Sequence, residues 1–229
     1  MLHAVFFDLD DTLVDQQKAA STAAIAWAAD HGVTDQGVSR RWASISEANY
    51  ERYSRRELTF DEQRRERVRE FLNAEVDDRE ADELFSGYLI KYEARWVSFD
   101  DAVPALGRAK EAGLTVAVLT NGDENHQRMK LQKLGLTDAV DVLVASSMLP
   151  AGKPDPRAFS HALEIVGVGA DAALMVGDSL EKDVRGALEA GLDAVLLDRD
   201  GAHSVADVRR IRSLDELIFA APGGSSILS

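Results

Sequence analysis

Short apolar runs occur at the start of the chain and recur through its second half. The runs that predict strands cover residues 4–9, 114–120, 139–146, 172–178 and 193–198. Most do not alternate with polar residues, which is typical of strands buried on both faces of a parallel sheet. The helical patterns between the later runs cover residues 101–112, 123–135, 156–166 and 180–190. This alternation predicts an α/β fold with a doubly wound, Rossmann-like parallel sheet.

Residues 16–98 interrupt the alternation of strands and helices. Their composition favours helices, they contain no proline, and none of their segments predicts a strand. The helices expected here cover about 16–31, 38–56, 59–76 and 79–96. The simplest interpretation is an all-helical domain of residues 16–98 inserted after the first strand. Residues 1–15 and 99–229 would then form the α/β domain.

Composition and charge restrict the possible functions. Of the 229 residues, 45% are hydrophobic and 29% are charged, as in an ordinary globular protein. The net charge of -14 argues against a nucleic-acid polymer as partner, because nothing would neutralise a phosphate backbone. The absence of cysteine excludes disulfides and thiolate catalysis. Because the sequence shows no signal-peptide pattern and no long apolar segment, we expect a cytoplasmic protein that does not enter membranes. We expect it to be a monomer or a homodimer.

Four polar blocks follow the predicted strands, at the sheet edge where α/β proteins bind ligands. They are Asp8 with Asp10, residues 120–122 (TNG), Lys153 in AGKPDP, and residues 177–183 (GDSLEKD). Each block alone is most simply a polar turn, a solvated loop lysine or a helix cap. Because parallel strands end at the same edge, we expect the four blocks to lie together.

Together the blocks predict a site for a cation and a phosphate group. Asp8 and Asp178 offer carboxylate oxygens, which suit magnesium far better than zinc. The groups expected to hold phosphate are the Thr120 hydroxyl, the backbone N–H groups of Asn121 and Gly122, and Lys153. The cation and the lysine would let a carboxylate approach an anionic phosphoryl group. In the helix predicted over 123–135, Met129, Leu131 and Leu134 lie at helix-like spacing.

The same blocks resemble the motifs of the haloacid dehalogenase (HAD) superfamily. Residues 8–13 (DLDDTL) resemble its D-x-D-x-T-L nucleophile motif, and Thr120 resembles the threonine of its second motif. Lys153 and residues 177–183 resemble its lysine and its acidic fourth motif. The inserted residues 16–98 resemble the helical cap of subfamily I. The order and spacing match over essentially the whole chain, so the combination is specific although no single block is.

The resemblance implies two-step phosphoryl transfer with Mg2+ as cofactor. Asp8 would be the nucleophile that forms an aspartyl phosphate, and Asp10 would act first as general acid and then as general base. Thr120 and Lys153 would complete the catalytic set. Magnesium would be held by Asp8, Asp178 and the backbone carbonyl of Asp10. The supporting residues would be Thr12, near Asp10, with Ser179 and Asp183, the last orienting Lys153 or a metal-bound water.

Asp10 distinguishes between the reactions known in this superfamily. Dehalogenases resemble the pattern but lack the second aspartate, because a halide leaves without a proton. We therefore expect a phosphatase of a small phosphorylated metabolite, such as a sugar phosphate, a nucleotide or a phosphoglycolate-like compound. A phosphomutase would use the same residues and remains an alternative. The alternative from another class is a non-catalytic phospho-acceptor switch, as in receiver domains, although those are about half this length and lack the insertion.

The helical insertion carries arginines next to aromatic residues. The arginines are Arg40, Arg41, Arg52, Arg55 and Arg56. They could contact the leaving group of a substrate. The interpretation that we favour is a solvated helix face on which arginines pair with nearby acidic residues.

Overall fold

The computed structural model describes residues 1–203 and 207–220, and the chain divides into two compact units. The α/β unit comprises Met1–Asp15 and Ser98–Ser229, and the helical unit comprises Gln16–Val97. The predicted α/β range therefore includes residues 204–206 and 221–229, which lie outside the described part. Among the described residues, no helix combines the length and the apolar character needed to cross a membrane.

Six strands of the described chain form one fully parallel sheet in the order β3-β2-β1-β4-β5-β6. They are β1 Ala4–Phe7, β2 Thr115–Thr120, β3 Val142–Ala145, β4 Ala173–Gly177, β5 Asp193–Leu197 and β6 Arg209–Ile211. This confirms the predicted doubly wound sheet. The strand order reverses between β1 and β4, so a ligand crevice is expected at the carboxyl ends of these central strands. β6 was not predicted, because it has three residues, two of them exposed arginines.

The helices of the described chain are α1 Gln16–Asp30, α2 Val38–Ser54, α3 Phe60–Leu72, α4 Asp78–Glu93, α5 Ala102–Glu111, α6 Glu124–Lys133, α7 Pro156–Val166 and α8 Gly186–Glu189. The segment 180–190, predicted as one helix, begins instead with a π-helical turn, Leu180–Arg185, which leads into α8. Helix α3 ends earlier than predicted, because Asn73 adopts a left-handed conformation with φ 49°.

The two faces of the sheet are both covered by helices. Phe7 packs in the core cluster that includes Leu106 of α5, whereas Phe6 packs in the cluster that includes Phe159 of α7. All four side chains are fully buried. Neighbouring strand residues point to opposite faces, so a sheet covered on both sides needs apolar residues at successive positions. This explains why the strand sequences do not alternate.

The helical unit has a core of its own. Trp27, Trp42, Phe71, Phe85 and Tyr88 contribute to it, and the Trp42 and Tyr88 ring centroids lie 4.6 Å apart. Helix α1 packs against α2 and α4, and α3 packs against the same two helices. The aromatic side chains thus supply a large buried apolar area to a unit of only four described helices.

The arginines of the helical unit differ in their surroundings. Arg41 pairs with Asp35 at 3.0 Å, and Arg55 pairs with Glu57 at 2.8 Å, all on the exposed surface. These pairs are of the kind expected on a solvated helix face. Arg64 is different, because its guanidinium lies over the ring of Phe60 at 4.0 Å, a contact that the sequence pattern did not predict.

Candidate active site

Asp8 lies directly beyond the carboxyl end of β1, at the centre of the sheet. Its N–H donates to the carbonyl of Val176 on β4 at 2.9 Å, so the ladder between the two strands fixes its position. The chain then turns sharply, with Asp11 at φ 62° and its N–H donating to the Val14 carbonyl at 2.7 Å. This turn keeps Asp10 near the end of the strand that Asp8 follows.

Lys153 is the cation at the centre of the site. Its Nζ donates to Oδ1 of Asp8 and Oδ1 of Asp183, both at 2.6 Å, and to the Leu119 carbonyl at 2.7 Å. Asn121 holds the backbone of Lys153 through two hydrogen bonds of 2.8 Å. Burial alone would lower the pKa of Lys153, but the charges of Asp183 and Asp8 outweigh burial and raise it. The ammonium group of Lys153 therefore stays protonated.

Three carboxylates surround this single lysine. Each of Asp8, Asp178 and Asp183 offers an oxygen within 4.8 Å of the other two. Burial, opposed by Lys153, raises the pKa of Asp8 well above its usual range. Burial and then the charge of Asp183 raise the pKa of Asp178 to about 7. One lysine does not balance three carboxylates, so a divalent cation with a preference for oxygen ligands fits this donor set.

Asp183 has both of its carboxylate oxygens engaged. Oδ1 accepts from Lys153, and Oδ2 accepts the N–H of Ser179 at 3.0 Å. The Ser179 hydroxyl in turn accepts the N–H of Lys182 at 3.1 Å, which caps the π-helical turn that carries Asp183. The geometry therefore suits Asp183 to orienting Lys153 better than to contacting a metal directly.

Thr12 links the loop after β1 to Asp178. Its hydroxyl donates to Oδ1 of Asp178 at 3.2 Å and accepts the Asp178 N–H at 3.0 Å. Among the described residues, none donates a hydrogen bond to Oδ2 of Asp8, to Oδ2 of Asp178 or to the backbone carbonyl of Asp10. Asp8, Asp178 and the backbone carbonyl of Asp10 are the groups predicted to hold magnesium.

The segment after β2 corrects one expectation about phosphate binding. The N–H of Gly122 donates to the Ser146 hydroxyl at 2.9 Å, so it is already engaged within the protein. We therefore do not retain it as a phosphate donor. The Thr120 hydroxyl accepts a hydrogen bond from Gln127 at 3.0 Å, and it donates to none of the described residues. Its proton thus remains available to a phosphate oxygen.

Asp10 is held by two residues of α6 that the sequence did not predict. Oδ1 forms a short ion pair with Lys130, and Oδ2 accepts from Gln127 at 3.0 Å. Burial would raise the pKa of Asp10, but the charge and hydrogen bond of Lys130 and the hydrogen bond of Gln127 together outweigh it and lower the pKa. The predicted helix is present, and in it Met129 is 39% exposed whereas Gln127 and Lys130 are buried.

Comparison with known proteins gives a family match. Residues 2–191 match the haloacid dehalogenase-like hydrolases. The chain is 44% identical to the phosphoserine phosphatase of Thermus thermophilus, over 46% of this chain and only 42% of that enzyme. It is 33% identical to the ribulose-1,5-bisphosphate 5-phosphatase of Halopiger xanaduensis, over 86% of this chain and 85% of that enzyme.

Solved structures share the fold. The magnesium-bound HAD-hydrolase YfnB of Bacillus subtilis gives a TM-score of 0.76 at 23% identity, covering 94% of this chain and 96% of YfnB. The 2-haloacid dehalogenase of Pseudomonas syringae pv. Tomato gives a TM-score of 0.68 at 30% identity, with the same coverages of 94% and 96%. The shared fold therefore serves more than one reaction, and the choice of reaction depends on the residues at the site.

Proposed function

Because this chain belongs to the haloacid dehalogenase-like hydrolases, with phosphatases among its relatives, we propose that it is a magnesium-dependent phosphatase of a small phosphorylated metabolite. The observation that carries the proposal is the buried Lys153, which bridges Asp8 and Asp183 within a cluster of three carboxylates. Such a site combines a nucleophile with positive charge for an anionic substrate.

In the proposed first step, a carboxylate oxygen of Asp8 attacks phosphorus and forms an aspartyl phosphate. The bond between phosphorus and the ester oxygen breaks, and its electron pair stays with the alcohol oxygen, which takes a proton from Asp10. The Thr120 hydroxyl, the Asn121 N–H and Lys153 would bind the phosphate oxygens.

In the proposed second step, Asp10 removes a proton from water, and the water oxygen attacks phosphorus. The bond to Asp8 breaks, which restores its carboxylate and releases inorganic phosphate. The lowered pKa of Asp10, which Lys130 and Gln127 cause against the effect of burial, keeps Asp10 ionised in the free enzyme, and this is the form a base needs. The proton for the first step would then enter with the substrate, on a monoanionic phosphate group, and would pass through Asp10 to the alcohol oxygen. The proton that Asp10 takes from water in the second step would leave to solvent before the next turnover.

The oxygens of Asp8 and Asp178 and the carbonyl of Asp10 would hold the magnesium ion. When bound, the ion would neutralise the charge that the carboxylates and the substrate phosphate bring together. Asp183 and Ser179 would keep Lys153 in place, and their hydrogen bonds support this role. Thr12 would support Asp178.

Asp10 also supports a phosphatase over a dehalogenase. In a dehalogenase the leaving halide needs no proton, so an ionised carboxylate at this position would have no function in the reaction. In a phosphatase Asp10 would transfer a proton in both steps, to the leaving alcohol in the first and from water in the second. A phosphomutase would use the same groups, and a phospho-acceptor switch would use only the first step.

The test is a screen of the purified protein with magnesium for release of inorganic phosphate. The panel contains phosphoserine, glyceraldehyde 3-phosphate, ribulose 1,5-bisphosphate and a pyrimidine nucleotide, and halide release from 2-chloropropionate is the control. Continuous phosphate release supports a phosphatase. Isomerised product that depends on a bisphosphate activator would indicate a phosphomutase, and a single phosphoryl group per chain would indicate a switch.

Asp8→Asn should lower turnover in this screen by about 10³-fold or more, because it removes the nucleophile and keeps the side-chain volume. Circular dichroism and the melting temperature serve as checks that the variant folds. If the variant kept about a tenth of the wild-type rate, after deamidation is excluded by mass, another residue would be the nucleophile.

A further inference from the structure

The buried face of α6 is polar where it meets the site. Lys130 is 1% exposed and Gln127 is 3% exposed, although lysine and glutamine are rarely buried. The two residues are three positions apart, so they lie on one face of the helix. Burying an ammonium group and an amide is unfavourable unless they are paired, so their partners explain why they are there.

Both residues hold the same carboxylate. Lys130 forms a short ion pair with Oδ1 of Asp10, and Gln127 donates to Oδ2 at 3.0 Å. Because each oxygen has its own donor from a rigid helix, the carboxylate can neither rotate nor swing away without losing a charged contact. The Asp10 side chain is nevertheless 28% exposed, so it remains accessible.

Gln127 joins this carboxylate to the predicted phosphate site. Its Nε2 donates to Oδ2 of Asp10 and to the Thr120 hydroxyl, both at 3.0 Å. The opposite amide orientation would place a carbonyl against a carboxylate, so the charge of Asp10 fixes Nε2 on this side. Because the Thr120 hydroxyl accepts from Gln127, its proton points elsewhere, where a phosphate oxygen could accept it.

We propose that Lys130 and Gln127 are positioning residues that hold Asp10 in place for proton transfer, with Gln127 also setting the direction of the Thr120 hydroxyl. This inference rests on the proposed phosphatase function. Neither residue contacts the reacting atoms in it, and both act through Asp10 and Thr120. A merely structural pair would fill space and satisfy charge, and an apolar residue of similar size would then replace Lys130 without a specific kinetic effect.

The test compares Lys130→Met and Gln127→Leu with the wild type on an alkyl phosphate from the screen. We expect kcat to fall about 10–100-fold for Lys130→Met with KM changed less than about threefold, because a misplaced acid/base group slows chemistry rather than binding. Gln127→Leu should also raise KM, because it releases Thr120. Lys130→Arg keeps the charge and should recover part of the loss.

A double-mutant cycle identifies the residue through which Lys130 acts. Once Asp10 is replaced by asparagine, the loss of Lys130 should matter little, so Asp10→Asn/Lys130→Met should be within about twofold of Asp10→Asn. If the double variant were slower by the full factor of Lys130→Met, Lys130 would act independently of Asp10 and the inference would be wrong. Lys130→Met at wild-type kcat would also overturn it.

The matched control is Arg128→Met, which removes a cation from the exposed side of the same helix. Arg128 pairs with Glu124 at 2.6 Å on the surface, so this variant should keep the wild-type kcat. If Lys130→Met does not fold, Gln127→Leu and Lys130→Arg give the same comparison within the Asp10→Asn cycle. Absence of phosphate release by the wild type would refute the proposed function, whereas variants that match an active wild type would refute only the positioning role.

Discussion

At the residue scale, two aspartates only two positions apart have pKa shifts in opposite directions. Burial raises the pKa of Asp8, whereas burial of Asp10 is outweighed by the charge and hydrogen bond of Lys130 together with the hydrogen bond of Gln127, which lower its pKa. Carboxylates whose pKa values are separated by their surroundings commonly have different roles in one reaction. Here the separation suits Asp8 as a nucleophile that becomes ionised when a cation is near it, and Asp10 as a base that is already ionised.

The ionised state of Asp10 predicts which step depends on it most. Asp10→Asn should still form the aspartyl phosphate from p-nitrophenyl phosphate, because nitrophenolate leaves without a proton. It should show a burst of nitrophenol followed by steady hydrolysis that is about 10²–10⁴-fold slower than in the wild type. Rapid-mixing absorbance measures the burst and the steady rate, and intact mass after acid quench measures the aspartyl phosphate. Loss of the burst and of the added phosphoryl mass would indicate that Asp10 places the metal instead.

The raised pKa of Asp178 predicts how stability depends on pH without metal. Burial raises this pKa from 3.8 to about 7. Between these pH values Asp178 is ionised in the unfolded chain but still protonated in the folded protein, so the free energy of unfolding falls as the pH rises. At pH about 8, Asp178→Asn should therefore be more stable than the metal-free wild type by about 1–3 kcal/mol, and the gain should shrink towards pH about 5.

Urea unfolding in excess chelator measures this difference, and Asp138→Asn is a matched control on an exposed carboxylate. The control should not change the pH dependence. Equal stability of Asp178→Asn and the wild type at every pH would show that the carboxylate is not destabilised in the folded protein, and the argument from excess charge would fail.

The sequence predicted that those candidate residues whose motifs are short and local would lie together. Asp8, Lys153 and Asp183 meet as the order of the strands required. Lys130 and Gln127 could not be predicted, because a buried lysine on a short helix has the pattern of an exposed one until its partner is known. A partner 120 positions away along the chain leaves no local signal.

At the element scale, boundaries were predictable where backbone chemistry defines them. Helix α7 has the predicted bounds, because Pro156 suits its first turn and Gly167 ends it at φ 78°. The turn after β4 was not predictable, because a π-helical turn has the composition of an α-helix. Within this turn Asp183 lies against Gly177, so the position has room for glycine but not for a side chain.

This close contact predicts the effect of Gly177→Ala. The added Cβ would lie 2.2 Å from Oδ2 of Asp183, so Asp183 must move away from Lys153. We expect a loss of stability of about 1–3 kcal/mol and a fall in turnover of at least about tenfold. The measurements are urea unfolding and phosphate release.

Gly107→Ala is the control for Gly177→Ala, since a Cβ at Gly107 in α5 meets nothing within 4 Å. Removing glycine from a helix interior should raise stability by about 0.5–1 kcal/mol and leave turnover unchanged. Unchanged turnover in Gly177→Ala as well would show that the position of Asp183 does not matter for the reaction.

At the scale of the whole molecule, the parallel sheet was predictable because β1 to β5 are largely apolar and separated by helices. The helical unit was predictable as helical but not in its packing, since the contacts among Trp27, Trp42 and Phe71 join three different helices. Net charge is also a property of the whole chain, and it affects how any metal experiment must be designed.

A chain with a net charge of -14 repels itself, so salt alone should stabilise it. Raising NaCl from about 20 to 300 mM should therefore raise the melting temperature of the wild type and of Asp178→Asn alike. Magnesium adds a second contribution if it binds the carboxylate cluster. We compare about 10 mM MgCl2 with NaCl of equal ionic strength. In MgCl2 the free energy of unfolding of the wild type should be higher by about 1–3 kcal/mol, because the ion binds the folded protein.

Asp178→Asn should lack this further gain, because it has lost a predicted ligand while its net charge has changed by only one. Calorimetric melting in the two salts separates screening from binding without any measurement of activity. An equal response of both proteins to magnesium would mean that the ion acts by screening alone. The three carboxylates would then be balanced in the folded protein by some other means, and the proposed magnesium site would be wrong.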